Sequence, residues 1–247
     1  MKEDLKGKVA LITGGSSGIG KSVAERLAKE GANLVLLSRT KSKLDEVKRS
    51  IQENYDGEVF TISTDITDDK QVDKAVDKTI EKFGSIDIVV SNAGTTRYGE
   101  IEDFSTEDFE TVMETNCYGM FFITRAVLPH LRKSKGNLIF IGSFDSHHPR
   151  SVNPIYASSK WWTRGFAHSI EALVGKDGVA VTLVNPSEVR TEIKSDDGVQ
   201  YKEKFEEGEV SEPEEIADVV AIAAKQSDVT TLSEVNVYRR NKIGDFF

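Results

Sequence analysis

The chain has 247 residues, 38% of them hydrophobic, with 41 acidic against 32 basic side chains and a formal charge of −9. That length suits one α/β domain with a sizeable core better than two small ones, and the acidity argues against a general nucleic-acid surface. Cys117 is the only cysteine, which excludes an intrachain disulfide and argues against a cysteine-based zinc site, so no metal is expected. The charged start, Met1-Lys2-Glu3-Asp4-Leu5-Lys6, lacks a secretory apolar segment, and no apolar run is long enough to span a bilayer. A cytoplasmic protein with no membrane partner is the expectation.

Apolar runs of strand length alternate with helical patterns along the whole chain. Strands are predicted at Val9–Thr13, Asn33–Ser38, Val59–Thr64, Ile86–Ser91, Asn137–Gly142, Val179–Asn185 and Glu234–Val237. A helix over Gly20–Glu30 places Val23 and Leu27 on one face, with Gly31 as its C-terminal cap candidate. A long helical region covers Phe104–Leu131, and Arg132-Lys133-Ser134-Lys135 decorates its C-terminal end, where cations suit the dipole. Strands apolar on both faces, separated by helices, predict a parallel sheet covered on both sides. With no repeat, linker or low-complexity tract, residues 1–247 read as a single domain. The polar segment Glu192–Val210 breaks the alternation; it reads as a mobile flap near 190–210 or as a plain solvated loop.

Thr13-Gly14-Gly15-Ser16-Ser17-Gly18-Ile19-Gly20 joins the first strand to the first helix. Glycine is needed where backbone turns tightly and approaches a ligand closely, and the helix that follows offers free N–H groups to a diphosphate. The spacing is Gly-x-x-x-Gly-x-Gly, but the strand-turn-helix setting is the one dinucleotide binding requires. Further on, Tyr156 and Lys160 stand four apart, one turn along a helix face. A fixed positive charge beside a phenol favours the phenolate and draws its pKa toward the working range. Alone, the pair also reads as two amphipathic side chains at a surface.

Taken together and in this order, Thr13–Gly20, Asp65, Asn92-Ala93-Gly94, Asn116, Ser143, Tyr156, Lys160 and Asn185-Pro186 resemble the short-chain dehydrogenase/reductase family, from Lys6 to about Val220. The resemblance implies a Rossmann-type doubly wound α/β fold with a seven-stranded, mainly parallel sheet, and an enzyme interconverting a carbonyl and a secondary alcohol. By the same resemblance Tyr156 is the general acid/base, Lys160 lowers its pKa and holds the nicotinamide ribose, Ser143 polarises the substrate oxygen, and Asn116 holds a proton-relay water. The cofactor contacts implied are Gly14, Ser16, Ser17, Gly18, Ile19 and Gly20 at the turn, Ser38, Arg39 and Thr40 after the second strand, Asp65 and Ile66 after the third, and Asn92, Ala93 and Gly94 after the fourth. Tyr156, Lys160, Pro186, Ser187, Val189 and Thr191 complete that set. Asp65 would take the adenine amino group, or else cap the following helix.

Where an acidic residue would select a free ribose hydroxyl, this chain has Ser38-Arg39-Thr40, a donor set suited to a 2′-phosphate, so NADP(H) is favoured over NAD(H). Departures from the family pattern are Ser91 for the first Asn of Asn-Asn-Ala-Gly, Ser187 for the Gly of Pro-Gly, and Val235 through Lys242 in place of a glycine-rich end. That ending is more like relatives acting on hydroxy acids and similar polar carbonyls. Arg97, Phe144, His147 and Asn153 lie in segments expected to line a small-molecule substrate pocket, with Arg97 a candidate partner for a carboxylate. Trp161-Trp162 would either wall the site or pack at the core or a subunit interface; family members usually pair through the helices carrying Asn116 and Tyr156, so a homodimer or homotetramer is expected. The rival readings are a non-catalytic nicotinamide-nucleotide-binding sensor and a cofactor-retaining epimerase or dehydratase.

Overall fold

The computed structural model describes residue 2, residues 4–226 and residues 228–241; Lys242 of the C-terminal departure lies outside them. Seven strands, β1 (Val9–Thr13), β2 (Asn33–Ser38), β3 (Val59–Ser63), β4 (Ile88–Ser91), β5 (Asn137–Ile141), β6 (Ala180–Pro186) and β7 (Glu234–Val237), form one sheet in the order β3-β2-β1-β4-β5-β6-β7. Every pairing is parallel. The helices are α1 (Gly18–Lys29), α2 (Lys41–Gln52), α3 (Asp69–Phe83), α4 (Thr106–Met113), α5 (Gly119–Ser134), α6 (Pro154–Val174), α7 (Tyr201–Lys204) and α8 (Pro213–Ala224).

Strand alternation assigns the helices to two layers. In β1, Ala10 and Ile12 join one core cluster while Val9 and Leu11 join the other, and β2 divides Leu34 and Leu36 from Val35 and Leu37 in the same way. The first cluster takes Val23 and Leu27 from α1, Leu44 and Ile51 from α2, and Ile216 and Val220 from α8. The second takes Val72 and Val76 from α3, Ile123 and Val127 from α5, and Ala167 and Val174 from α6. Each fully buried Leu or Ile contributes about 1.5–3 kcal/mol relative to exposure, and β1 and β2 are buried on both faces because helices cover both. Among the described residues, no helix is long and apolar enough to cross a membrane.

The order reverses between β1 and β4, and ligands of doubly wound sheets lie in the crevice beyond the carboxyl ends of the strands at such a point. Thr13 ties the two sides of that crevice together. Its hydroxyl accepts from Asn92 N and Ala93 N, both at 3.0 Å, and Asn92 Nδ2 donates to Thr13 O at 2.9 Å. The glycine turn is packed to its limit: a Cβ on Gly20 would lie 2.3 Å from Gly14 O, and Gly14 itself has φ +68°.

The single helical region predicted over Phe104–Leu131 is two helices separated by a π turn, Glu114–Tyr118, that contains Asn116. The expected cationic C-terminus of α5 is present, with Lys135 in the left-handed conformation at φ 51°. The segment 190–210 is neither strand nor simple loop. It leaves the body at a bridge between Val189 and Ser211, carries α7, and is fastened by Arg190 to Glu212 at 2.9 Å and to Lys202 O at 3.1 Å.

Replacing Gly20 by Ala forces the turn open against Gly14 O, which should cost about 1–3 kcal/mol of stability. Urea unfolding of Gly20→Ala checks this; a midpoint equal to wild type would show that the turn can yield.

Candidate active site

α6 enters through Pro154 at its first turn and carries Tyr156 and Lys160 on one face beneath the ends of β4 and β5. Lys160 is only 5% exposed, and its Nζ donates to the carbonyl of Ile141 at 3.0 Å. The ammonium lies 5.6 Å from the Tyr156 ring centroid. Burial lowers the Lys160 pKa to about 8, with Cys117 and Asp145 pulling the other way. Burial also pushes the Tyr156 phenol well above the usual tyrosine range, Asp145 pushes it further, and a hydrogen bond with Ser143 opposes both. The expected lowering of the phenol pKa is therefore not a property of the chain alone. Burial is the largest cause of that rise.

Ser143 follows β5 and caps a short 3-10 helix, Phe144–Ser146, accepting from Asp145 N at 3.1 Å. Its own N–H faces Ser146 Oγ at 3.1 Å and Asn185 Oδ1 at 3.3 Å. Asn116 is buried, and the π turn aims its amide at Thr95: Thr95 N donates to Oδ1 at 2.8 Å and Nδ2 donates to Thr95 O at 2.9 Å. Nδ2 also donates to Ser159 Oγ at 2.9 Å. The side chain thus ties the π turn to Thr95 and to α6 through Ser159.

Both carboxyl edges of the crevice fit a dinucleotide. Gly14, Ser16, Ser17, Gly18, Ile19 and Gly20 form the turn into α1, and the Thr191 methyl lies 3.2 Å from where a Cβ on Gly18 would sit, so the start of the 190–210 segment overlies the turn. At the end of β2, the Ser38 hydroxyl is buried without a partner while Arg39 and Thr40 are exposed beside it, a donor set with room for an anionic group. Lys41 is engaged with Asp45 and Thr61. Asp65 does not cap α3, since Asp68 accepts from Lys70 N and Gln71 N; Asp65 Oδ1 instead takes Thr67 N and Oγ1 at 3.0 and 2.8 Å. Ile66 is buried against Gly119, and Gly94 lies beside Asn116 and Lys160. Pro186 ends β6 and Val189 is buried. Ser187 uses its hydroxyl to accept from Arg239 N at 3.1 Å, which fastens the C-terminal stretch where the family has glycine.

The four substrate candidates are dispersed in role. Arg97 is held by Asp108 at 3.0 Å and by Thr96 O at 2.8 Å, so its charge is already paired. His147 Nε2 lies 2.7 Å from Glu234 Oε1. Phe144 is buried and stacked on His148 at 3.9 Å. Asn153 is buried, donates to Thr96 Oγ1 at 2.9 Å, and leaves its Oδ1 without a partner. Two further residues bear on the phenol: buried Asp145, next to Phe144 and with Arg150 at 3.4 Å, and Tyr201 on α7, hydrogen-bonded to Tyr98. Nothing in the spacing of Tyr201 marks it, because α7 reaches the site by tertiary folding.

The short chain dehydrogenase family model matches residues 8–202, and the chain belongs to that family. It is 35% identical over 235 residues to an uncharacterized oxidoreductase of Staphylococcus saprophyticus, covering 95% of this chain and 98% of that one. Among solved structures it is similar to L-sorbose reductase from Gluconobacter frateurii, complexed with NADPH and L-sorbose, at 28% identity and TM-score 0.85 over 97% of each chain. It is also similar to 3-ketoacyl-(acyl-carrier-protein) reductase from Brucella melitensis complexed with NADH, at 26% identity and TM-score 0.86, covering 97% of this chain and all of that one (100%).

A lysine with a folded pKa of about 8 has lost its proton at pH values where the unfolded chain still holds it. Stability attributable to it therefore rises as pH climbs from about 8 toward about 10. Urea unfolding across that window should show wild type gaining on Lys160→Met by about 1 kcal/mol per pH unit; parallel profiles would mean that Lys160 is not desolvated.

Proposed function

We propose that the protein is an NADP(H)-dependent oxidoreductase that interconverts a carbonyl and a secondary alcohol. The observation that carries this reading is the convergence of Tyr156, Ser143 and buried Lys160 at the β1/β4 crevice beside the glycine turn. When bound, the nicotinamide supplies or accepts the hydride and, in its oxidised form, adds positive charge beside the phenol. Ser143 Oγ donates to the substrate oxygen and steadies the charge that develops there. Tyr156 Oη gives that oxygen its proton in reduction and takes it in oxidation. Lys160 Nζ holds the ribose hydroxyls and keeps positive potential under the ring, and Asn116 braces Thr95 along the wall of the crevice. Gly14 and Gly18 leave space for the diphosphate, and Ser38, Arg39 and Thr40 take the 2′-phosphate. A non-catalytic sensor would have no use for a desolvated lysine under a phenol.

Exposed aromatic groups on α5 and α6 support a homo-oligomer. Phe121, Trp161 and Trp162 are exposed, Trp162 stacks on Phe166 at 4.6 Å, and Phe121, Leu128, Pro129, Phe166 and Ile170 share one groove. A second copy covering that face gives the tryptophans a buried environment. The substrate is a small carbonyl or alcohol, and the committed Arg97 and His147 weigh against a carboxylate held by either.

Tyr156→Phe should lower kcat at least a thousandfold on any carbonyl that wild type reduces, while NADPH still binds by fluorescence titration; turnover at the wild-type rate would overturn the assignment. Arg39→Glu should raise the NADPH KM tenfold or more and leave the NADH KM nearly unchanged. Equal effects on both cofactors would remove the 2′-phosphate role.

A further inference from the structure

Behind the 3-10 helix that carries Ser143 lies a polar cluster that no part of the proposed chemistry uses. Glu234, at the start of β7, is its centre. Oε1 accepts from Asn185 Nδ2 at 2.8 Å and from Arg164 Nε at 3.0 Å, and lies 2.7 Å from His147 Nε2. Oε2 accepts from Arg164 Nη2 at 3.2 Å and lies 3.1 Å from His168 Nε2. The other His168 nitrogen, Nδ1, is 3.2 Å from Glu171, which also accepts from Ser233 Oγ at 2.6 Å. These donors hold the Glu234 carboxyl down at about 2, so it is an anion at any working pH.

Asn185 is the link between this cluster and the site. It is fully buried on β6, with Glu234 and Asn236 Oδ1 on one side and the Ser143 N–H on the other. An amide has a donor end and an acceptor end, and a carboxylate can only accept. Glu234 therefore admits only the Nδ2 end, which leaves Oδ1 facing Ser143 N at 3.3 Å. The reversed amide would set oxygen against carboxylate and NH2 against N–H, two unpaired contacts around a fully buried side chain. The same oxygen lies 2.1 Å from where a Cβ on Gly142 would sit, so the backbone leading into Ser143 is seated directly on it.

The geometry points to Glu234 as a positioning residue for Ser143: by fixing which end of the Asn185 amide meets the Ser143 backbone, it sets the height of the 3-10 helix at the site. This rests on the proposed role of Ser143, but the test has an arm independent of it. Asn185→Asp replaces the donor end with an oxygen that Glu234 repels, so the 142–148 segment should exchange its amides with deuterium at least tenfold faster. Exchange in the glycine turn, 13–20, should be unchanged. The double variant Asn185→Asp/Glu234→Gln offers the aspartate a donor again and should restore protection to within threefold of wild type, a rescue that general loss of packing would not give. For carbonyl reduction with NADPH, kcat should follow the same order while the NADPH KM stays constant.

Unchanged exchange in Asn185→Asp, or no recovery in the double variant, would overturn the inference. If Asn185→Asp does not fold, Glu234→Leu alone provides the measurement. It removes the acceptor that selects the Nδ2 end of Asn185 and should speed exchange of the 142–148 segment at least tenfold while the glycine turn, 13–20, is unchanged; unchanged exchange in 142–148 would overturn the inference. Loosening and rescue of the segment as expected, with Tyr156→Phe fully active, would leave the positioning intact and remove only the reaction assigned to the site.

Discussion

Lys160 keeps its ammonium 3.0 Å from the Ile141 carbonyl with almost no exposure to water, and carrying a charge into such a place costs several kcal/mol. The surrounding fold must supply that free energy. It does so through a sheet buried on both faces, whose strands end at the crevice where β1 and β4 part. The same burial lowers the Lys160 pKa and raises that of the Tyr156 phenol, so near neutral pH the chain alone holds a protonated lysine beside a neutral phenol.

The backbone around the pair is arranged for close approach. Gly20 clears Gly14 O, and Gly142 clears Asn185. Thr13 and Asn116 act as clamps, each taking two backbone groups of a neighbouring segment. The result is a crevice whose walls are fixed by side chain-to-backbone hydrogen bonds, individually worth about 0.5–1.5 kcal/mol. Such bonds resist sliding of one segment past another, and that is the tolerance a hydride transfer demands.

Much of this was legible in the sequence. Strand runs apolar on both faces announced a covered parallel sheet, and their boundaries moved by at most a residue or two. The glycine turn and the Tyr156–Lys160 spacing located the crevice because both are local, short-range patterns. Asn116 is legible only through the family resemblance, and the π turn that accommodates an asparagine within a helical stretch is not written in any propensity. Tyr201 and the Glu234 cluster carry no local mark for a common reason. Their partners lie far along the chain, Tyr201 meeting Tyr98 and Glu234 meeting Asn185 from 49 residues away, and no period or spacing encodes such meetings. Arg97 and His147 looked available in one dimension; in three, Asp108 and Glu234 had already claimed them.

The account turns on whether the phenol of Tyr156 becomes acidic only when the cofactor brings positive charge to it. Ultraviolet difference titration of tyrosinate, with Tyr156→Phe as the blank, measures that ionisation directly in the presence and absence of NADP+. Without NADP+ the Tyr156 signal should stay absent through the usual tyrosine range, and with NADP+ it should emerge at distinctly lower pH. An identical Tyr156 titration in both conditions would contradict the account.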